Sequence, residues 1–158
     1  MDPMASHMPS SVEPGQHGSD TTTRVPTAAG DGWVRIRVQP EYLPQRSDPS
    51  QPMHVFAYRV LVEYDGPADA PAIQLTDRAW RIIDAHGVEE IVQGEGLVGQ
   101  QPVLRPGGHF EYASYCPLRS SWGTMEGRYG LVILDDAGEP AGRHEVEVDR
   151  FYLVAGEG

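Results

Sequence analysis

The chain has 158 residues, and its 18 glycines and 14 prolines make up about one residue in five, which argues against a helical fold. All 12 basic residues are arginine, and 23 acids leave a formal net charge of −11, so we expect neither nucleic acid nor an anionic membrane as a partner. A single cysteine, Cys116, forms no internal disulfide, and no apolar run is long enough to span a membrane, which favours a cytoplasmic location.

Residues 1–31 are predicted to be a disordered tail. They contain no aromatic residue, and nearly half of them are Pro, Ser, Thr or Gly, so they offer little to bury in a core. The first eight residues resemble an added cloning leader and lack the apolar segment of a secretory signal. The sequence therefore predicts one folded domain over residues 32–158.

From Trp33 onward, apolar side chains alternate with polar ones, which is the pattern of half-buried strands. The first predicted strand covers residues 33–38, and a longer one covers residues 54–64. The third predicted strand, residues 73–82, changes the parity of its apolar positions, which predicts a bulge around residues 76–78.

Four further strands are predicted, with turn signals rich in glycine, proline and aspartate between them. These strands are expected at residues 88–93, 109–115, 125–134 and 144–154. About seven short strands at this spacing predict an all-β fold, an antiparallel sandwich or a barrel.

A glycine motif, Gly94-Glu-Gly96-Leu-Val-Gly99, formally matches the fingerprint of dinucleotide-binding folds. That fingerprint requires a helix to begin at its last glycines, so that the helix N-terminus can receive a pyrophosphate. Here Gln100-Gln101-Pro102 follows instead, and no suitable acid lies about 20 residues further on. The context therefore argues against a dinucleotide site of this type.

Read with its neighbours, this motif resembles the ApaG family. Four segments carry the resemblance, in the expected order and spacing, and the similarity extends over about residues 33–154. The segments are Arg78-Ala-Trp80-Arg-Ile82, Val92 to Gly107, Phe110-Glu-Tyr112-Ala-Ser114 and Gly123-Thr-Met125-Glu-Gly127-Arg-Tyr129. The resemblance implies an antiparallel β-sandwich of about seven strands, like a fibronectin type III or immunoglobulin domain.

The resemblance also implies the function classes to expect. Bacterial members are loosely linked to cobalt and magnesium resistance. Eukaryotic F-box proteins and a polymerase-delta-interacting protein carry the same domain as a protein-interaction module. Neither role is a reaction, so we expect a non-enzymatic binding module with an unidentified protein partner.

No catalytic residue, metal ligand set or cofactor site is expected. Cys116 has no neighbouring histidine, and the chain has no Gly-x-Ser-x-Gly elbow. The four histidines of the predicted domain are widely separated, and the adjacent acids Asp135-Asp136 and Glu89-Glu90 would point to opposite faces of a strand. Any link to divalent cations would therefore be indirect.

Three residues are candidates for a protein-interaction surface: Trp122, Arg78 and Arg128. Trp122 lies among small residues in a predicted loop, where it either plugs one end of the sandwich or anchors a partner. The arginines would contact an acidic or phosphorylated feature. Trp80, by contrast, is predicted to be the core tryptophan of a sandwich.

The alternative function is a small-ligand binder that holds a nucleotide or pyrophosphate. Its candidate residues are Gly94, Gly96 and Gly99, whose backbone N–H groups could surround a phosphate, with Arg105 as the nearby cation. The competing interpretation is structural: the glycines shape a bulged strand and a tight turn while Leu97 and Val98 pack inward.

Overall fold

The computed structural model describes residues 16–48 and 50–156, and most of these residues lie in nine β-strands. A short 3₁₀ helix, Pro44–Arg46, follows the second strand. The strands are β1 (Ser19–Thr27), β2 (Gly30–Tyr42), β3 (His54–Asp65), β4 (Ile73–Asp84), β5 (Glu89–Glu95), β6 (Val103–Leu104), β7 (His109–Leu118), β8 (Trp122–Leu134) and β9 (Pro140–Val154).

The strands form two antiparallel sheets packed face to face. The first sheet has the order β1-β2-β3-β7, and the second has the order β5-β4-β8-β9, with β6 also paired to β4. This arrangement confirms the predicted all-β antiparallel sandwich, although the described residues contain nine strands rather than about seven. Over those residues, no helix has the length and apolarity that a transmembrane segment requires.

Alternation along the strands places the core between the sheets. In the register of β2 and β3, Ile36 lies opposite Val62 and Val38 lies opposite Val60, and all four side chains are fully buried. Trp80 of β4 is the central side chain of the second sheet, as predicted: it is 3% exposed. Its indole ring contacts aromatic rings edge-on on several sides, so its orientation is fixed by packing.

The parity change in the third predicted strand corresponds to an irregularity in the strand pairing of β4. The pairing of β4 with β8 shifts register between Leu75 and Asp77, which is where the sequence predicts a bulge. The shift lets Leu75 and Trp80, which lie at positions of opposite parity, both point into the core.

One strand lies in the stretch predicted to be a tail. β1 pairs with β2 from Ser19↔Val38 to Thr27↔Gly30, so the folded unit begins well before residue 32. Its single buried apolar side chain is Val25, and a run of β-branched threonines suits the extended backbone. The proposed leader, residues 1–8, lies outside the described residues.

The two lateral sides of the sandwich differ. On one side β1 covers the edge of β9: the N–H groups of Asp149 and Glu147 donate to Thr21 Oγ1 (2.9 Å) and Thr23 Oγ1 (3.4 Å). On the other side β7 and β5 end their sheets, with no further strand beside either among the described residues. We call this second side, bordered by β5 and β7, the open side.

Candidate functional site

The glycine motif forms the end of β5 and a tight turn. Leu97 and Gln100 exchange two backbone hydrogen bonds, of 2.7 and 3.2 Å. Between them, Val98 and Gly99 both have positive φ (53° and 80°), which is the geometry of a type I′ turn. Leu97 is buried, as the structural interpretation expects, but Val98 is 54% exposed because the turn directs it outward.

The loop offers few free donors to an anion. The N–H of Gly96 already donates to Thr76 O at 2.7 Å, and those of Leu97 and Gln100 are used within the turn. The loop turns carbonyl oxygens toward a cation instead, since Arg78 Nη1 donates to Glu95 O (3.2 Å) and Gly96 O (3.1 Å). These contacts account for the motif without a bound phosphate.

The structure separates Arg105 from the loop. Arg105 follows β6, whose Leu104 pairs with Ile73, whereas Gly96 bonds to Thr76 three residues further along β4. Among the described residues, no hydrogen bond or ion pair links the Arg105 side chain to Gly94, Gly96 or Gly99. The candidate anion site is therefore spread over two turns.

The three candidate interaction residues do not share one surface. Trp122 is the first residue of β8 rather than part of a loop, and it is 48% exposed. Arg128 lies six residues further along the same strand, about 20 Å away at the spacing of an extended chain. Arg78 pairs in register with the buried Tyr129 and therefore lies on the inner face of the sheet.

The outer face of the second sheet is neutralised by ion pairs. Arg128 pairs with Glu145 at 3.2 Å, and every other arginine on this face also meets a carboxylate. The other pairs are Arg81 with Glu89 (2.8 Å), Arg143 with Asp77 (3.2 Å) and Arg150 with Glu126 (2.8 Å). Exposed pairs of this kind contribute little to stability, but they leave no unmatched basic patch here.

The open side contains a groove that the sequence analysis did not find. One part, of about 590 Å³, is lined mainly by apolar side chains, and its charged residues are the acids Asp84 and Glu90 and the base Arg119. A deeper part, of about 170 Å³, continues between β4 and β7, and the two parts share Ile82, Glu90 and Pro117. Strand order decides which edges border a groove, and a single sequence does not reveal that order.

Cys116 lies in the deeper part as an inert thiol. The residue is 3% exposed, and burial, with a smaller contribution from the Glu90 charge, raises the pKa of its thiol to about 12. Such a thiol is almost entirely protonated at neutral pH and is a poor nucleophile. The part of the chain that the structure describes also holds no group of three or more His, Cys, Asp or Glu residues suited to a metal ion.

Comparison with known proteins gives a consistent picture. A family model described as the ApaG domain matches residues 44–133. The Protein ApaG of Rhodospirillum centenum is 42% identical over 125 residues, which cover 79% of this chain and 90% of that protein. The Protein ApaG of Acidovorax is 46% identical over 107 residues, covering 68% of this chain and 74% of that protein. A crystal structure described as an ApaA protein from Bordetella pertussis is similar with a TM-score of 0.70 and 39% identity, over 79% of this chain and 95% of that one.

Proposed function

The chain belongs to the ApaG domain family, and from that premise we propose that it is a non-enzymatic, cytoplasmic binding module whose partner is another protein. Family membership identifies neither the protein partner nor the surface that binds it. The architecture of the open side supports a protein partner most directly.

The observation that carries this proposal is the pair of strands at the open side whose outer edges have no strand partner among the described residues. β5 and β7 each end a sheet, and both present large apolar side chains to solvent. Val88, next to β5, is 63% exposed, Ile91 of β5 is 52% exposed and Tyr115 of β7 is 55% exposed. An unpaired strand edge with exposed apolar neighbours suits an extended segment of a partner, which adds a strand to the sheet.

The charge of the chain supports a protein rather than a nucleic acid. The formal net charge is −11, and the arginines of the outer sheet face are already paired with acids. The groove itself combines apolar walls with the acids Asp84 and Glu90 and the base Arg119. A mixed polypeptide can match both signs, whereas a phosphate backbone would meet mainly repulsion.

A link to cobalt or magnesium resistance would, on this proposal, act through the partner. Among the described residues no cluster of potential ligands faces a common point, and the adjacent acids do not converge with histidines. The module would influence cation handling by binding a protein that handles the ion.

The alternative, a nucleotide or pyrophosphate at the glycine loop, has weaker support. The N–H groups of Gly96 and Leu97 are engaged within the fold, and the charge of Arg78 is directed to carbonyl oxygens of the loop. A phosphate there would have to replace bonds that already exist.

Selection of peptides by the purified protein tests the proposal without knowledge of the partner. Phage-displayed random 12-residue peptides are selected, and the enriched peptides are added to the ¹⁵N-labelled protein. We expect saturable shifts at β5 and β7, and binding at least tenfold weaker for Val88→Lys. Val98→Lys is the matched control, since Val98 is similarly exposed but lies outside the groove. No enriched peptide, or shifts confined to β1 and β9, would contradict the proposal.

A further inference from the structure

The deeper part of the groove is a small cavity of about 170 Å³ that lies between the two sheets and opens to solvent between β5 and β7. We call it the inner cavity. Its walls combine apolar side chains with polar groups from both sheets. The polar residues are Tyr58, Arg78, Trp80, Glu90 and Ser114.

Trp80 lines this cavity, and the buried N–H of its indole is an unused donor. Trp80 is 3% exposed, and its Nε1 has no hydrogen-bond partner among the described residues. The ring centroids of Tyr58, Tyr129 and Phe151 lie 5.6 to 5.8 Å from that of Trp80, so packing holds the indole in its orientation. An indole N–H can only donate, and buried donors in proteins normally have an acceptor.

Arg78 supplies a positive charge at the same place. Its Nη1 is held by Glu95 O and Gly96 O, while neither Nε nor Nη2 forms a hydrogen bond to a described residue. No carboxylate of a described residue pairs with it, in contrast to Arg81 and Arg128 on the outer face. A Cβ at Gly94 would lie 2.8 Å from Arg78 Nη1, so the missing side chain of Gly94 makes room for the guanidinium.

The remaining polar groups are arranged around these two donors. Tyr58 and Ser114 add hydroxyl groups to the cavity wall, and the hydroxyls of Tyr112 and Tyr129 share a hydrogen bond deeper in the core. The tyrosine hydroxyls stay protonated, because burial raises the pKa of Tyr58, Tyr112 and Tyr129. The inner cavity thus presents hydroxyl groups and the Arg78 guanidinium to whatever enters it, with the exposed Glu90 carboxylate at its rim.

We propose that the inner cavity binds a carboxylate group, with one oxygen accepting from Trp80 Nε1 and the other facing Arg78. A carboxylate carries one charge and two acceptor oxygens, which matches one cation and one fixed neutral donor. Glu90 at the rim disfavours a dianion such as phosphate. The carboxylate belongs either to a small free acid or to an acidic side chain of a segment bound along β5 or β7, and the second source rests on the proposed function.

The indole proton of Trp80 reports directly on this site. In ¹H–¹⁵N spectra, the variants Trp33→Phe and Trp122→Phe identify the two exposed indoles and leave the Trp80 signal assigned. The protein is titrated at constant ionic strength with sodium acetate, with neutral acetamide and with inorganic phosphate. It is then titrated with the peptide acetyl-Thr-Val-Glu-Val-Thr-amide and with its Gln counterpart.

A saturable downfield shift of the Trp80 indole with acetate supports the proposal and a small-acid source. A shift with the Glu peptide but not with its Gln counterpart supports the proposal and a partner source. Equal shifts with acetamide and acetate overturn it, because the charge of Arg78 would then play no part. A shift with phosphate alone, or with no probe, also overturns it; the last result would mean that the cavity holds only water.

Two variants test the role of Arg78 independently. We expect Arg78→Gln to weaken the binding of the effective probe at least tenfold. Gly94→Ala keeps the arginine but forces the flexible tip of its side chain to move, and we expect weaker binding there too. Arg81→Gln is the matched control, because Arg81 lies on the outer face of the same strand. Unchanged binding in both Arg78→Gln and Gly94→Ala would overturn the proposal.

Discussion

Two glycines lie against Trp80 and Arg78, and they serve different purposes. A Cβ at Gly127 would clash with Ala79 O and would lie 2.7 Å from the Trp80 ring. The backbone and the packed indole cannot yield, so Gly127 is required for the sheet to close over the core. A Cβ at Gly94 would meet only the flexible end of the Arg78 side chain. The absence of a side chain at Gly94 therefore determines where the Arg78 guanidinium can lie.

Gly127→Ala is predicted to destabilise the protein by about 3 kcal/mol, because overpacking against fixed backbone strains the core. Urea unfolding monitored by circular dichroism measures the loss. Gly142→Ala is the matched control, since the nearest atom to its added Cβ is Ile133 Cδ1 at 4.0 Å. A Gly127→Ala variant as stable as Gly142→Ala would contradict the packing around Trp80.

Cys116 is predicted to resist alkylation in the folded protein. With its pKa near 12, roughly one thiol in ten thousand is ionised at pH 8. We expect iodoacetamide to react at least a hundredfold more slowly with the native protein than with the protein in urea, as followed by mass spectrometry. Because the unfolded thiol ionises near pH 9 while the native one stays neutral, this residue lowers stability as pH rises from about 9 to 12. Equal rates in both states would show that the thiol is accessible and ionised.

For single residues, the sequence predicts the environment of some side chains and not of others. Trp80 could be placed in the core because it alternates with Ile82 in an apolar pattern. Arg78 was expected on an interaction surface with Trp122 and Arg128, but it lies on the inner face of the sheet. The face of β4 on which Arg78 lies depends on the register shift between Leu75 and Asp77. The apolar pattern predicts a bulge in this region but does not show at which residue it lies.

Among the elements, β1 shows how a polar strand can escape detection. It buries one apolar side chain, Val25, and otherwise presents serine and threonine inward, so it carries little hydrophobic alternation. β6 is missed for a simpler reason, since two residues are too few to show a period. The other seven strands are predictable because each alternates apolar side chains over several positions.

Thr21→Val is predicted to uncover the edge of β9. The substitution keeps the β-branched shape but removes the hydroxyl that accepts from the Asp149 N–H, and we expect a loss of about 1 kcal/mol. Amide hydrogen exchange of Asp149, measured by NMR, should become faster. Thr22→Val is the control, because Thr22 lies on the exposed face of the same strand. Equal exchange at Asp149 in both variants would count against the contact between β1 and β9.

The glycine loop is predicted not to bind pyrophosphate. Its engaged N–H groups and the carbonyl contacts of Arg78 leave few donors for an anion. Amide spectra recorded with up to millimolar pyrophosphate and ATP should show no saturable shift at Gly94, Gly96 or Gly99. A localised, saturable shift at these glycines would instead support the small-ligand function.

For the whole molecule, the sandwich could be predicted but its open side could not. Alternation and turn signals give the number and the direction of the main strands, and the ApaG resemblance gives two packed sheets. The order of strands within each sheet depends on pairings between residues far apart in the chain, such as β3 with β7. The edges that remain unpaired, and therefore the groove between β5 and β7, follow from that order.

Site-specific photo-crosslinking in cells that produce the protein tests the central claim, that the open side binds a protein, most directly. A benzophenone amino acid is introduced in place of Val88 or Tyr115, which flank the groove, or in place of Thr22 on the covered side. We predict that Val88 and Tyr115 give a discrete, shared adduct with another protein on irradiation, while Thr22 gives none. An adduct formed equally from all three positions, or from Thr22 alone, would contradict the claim.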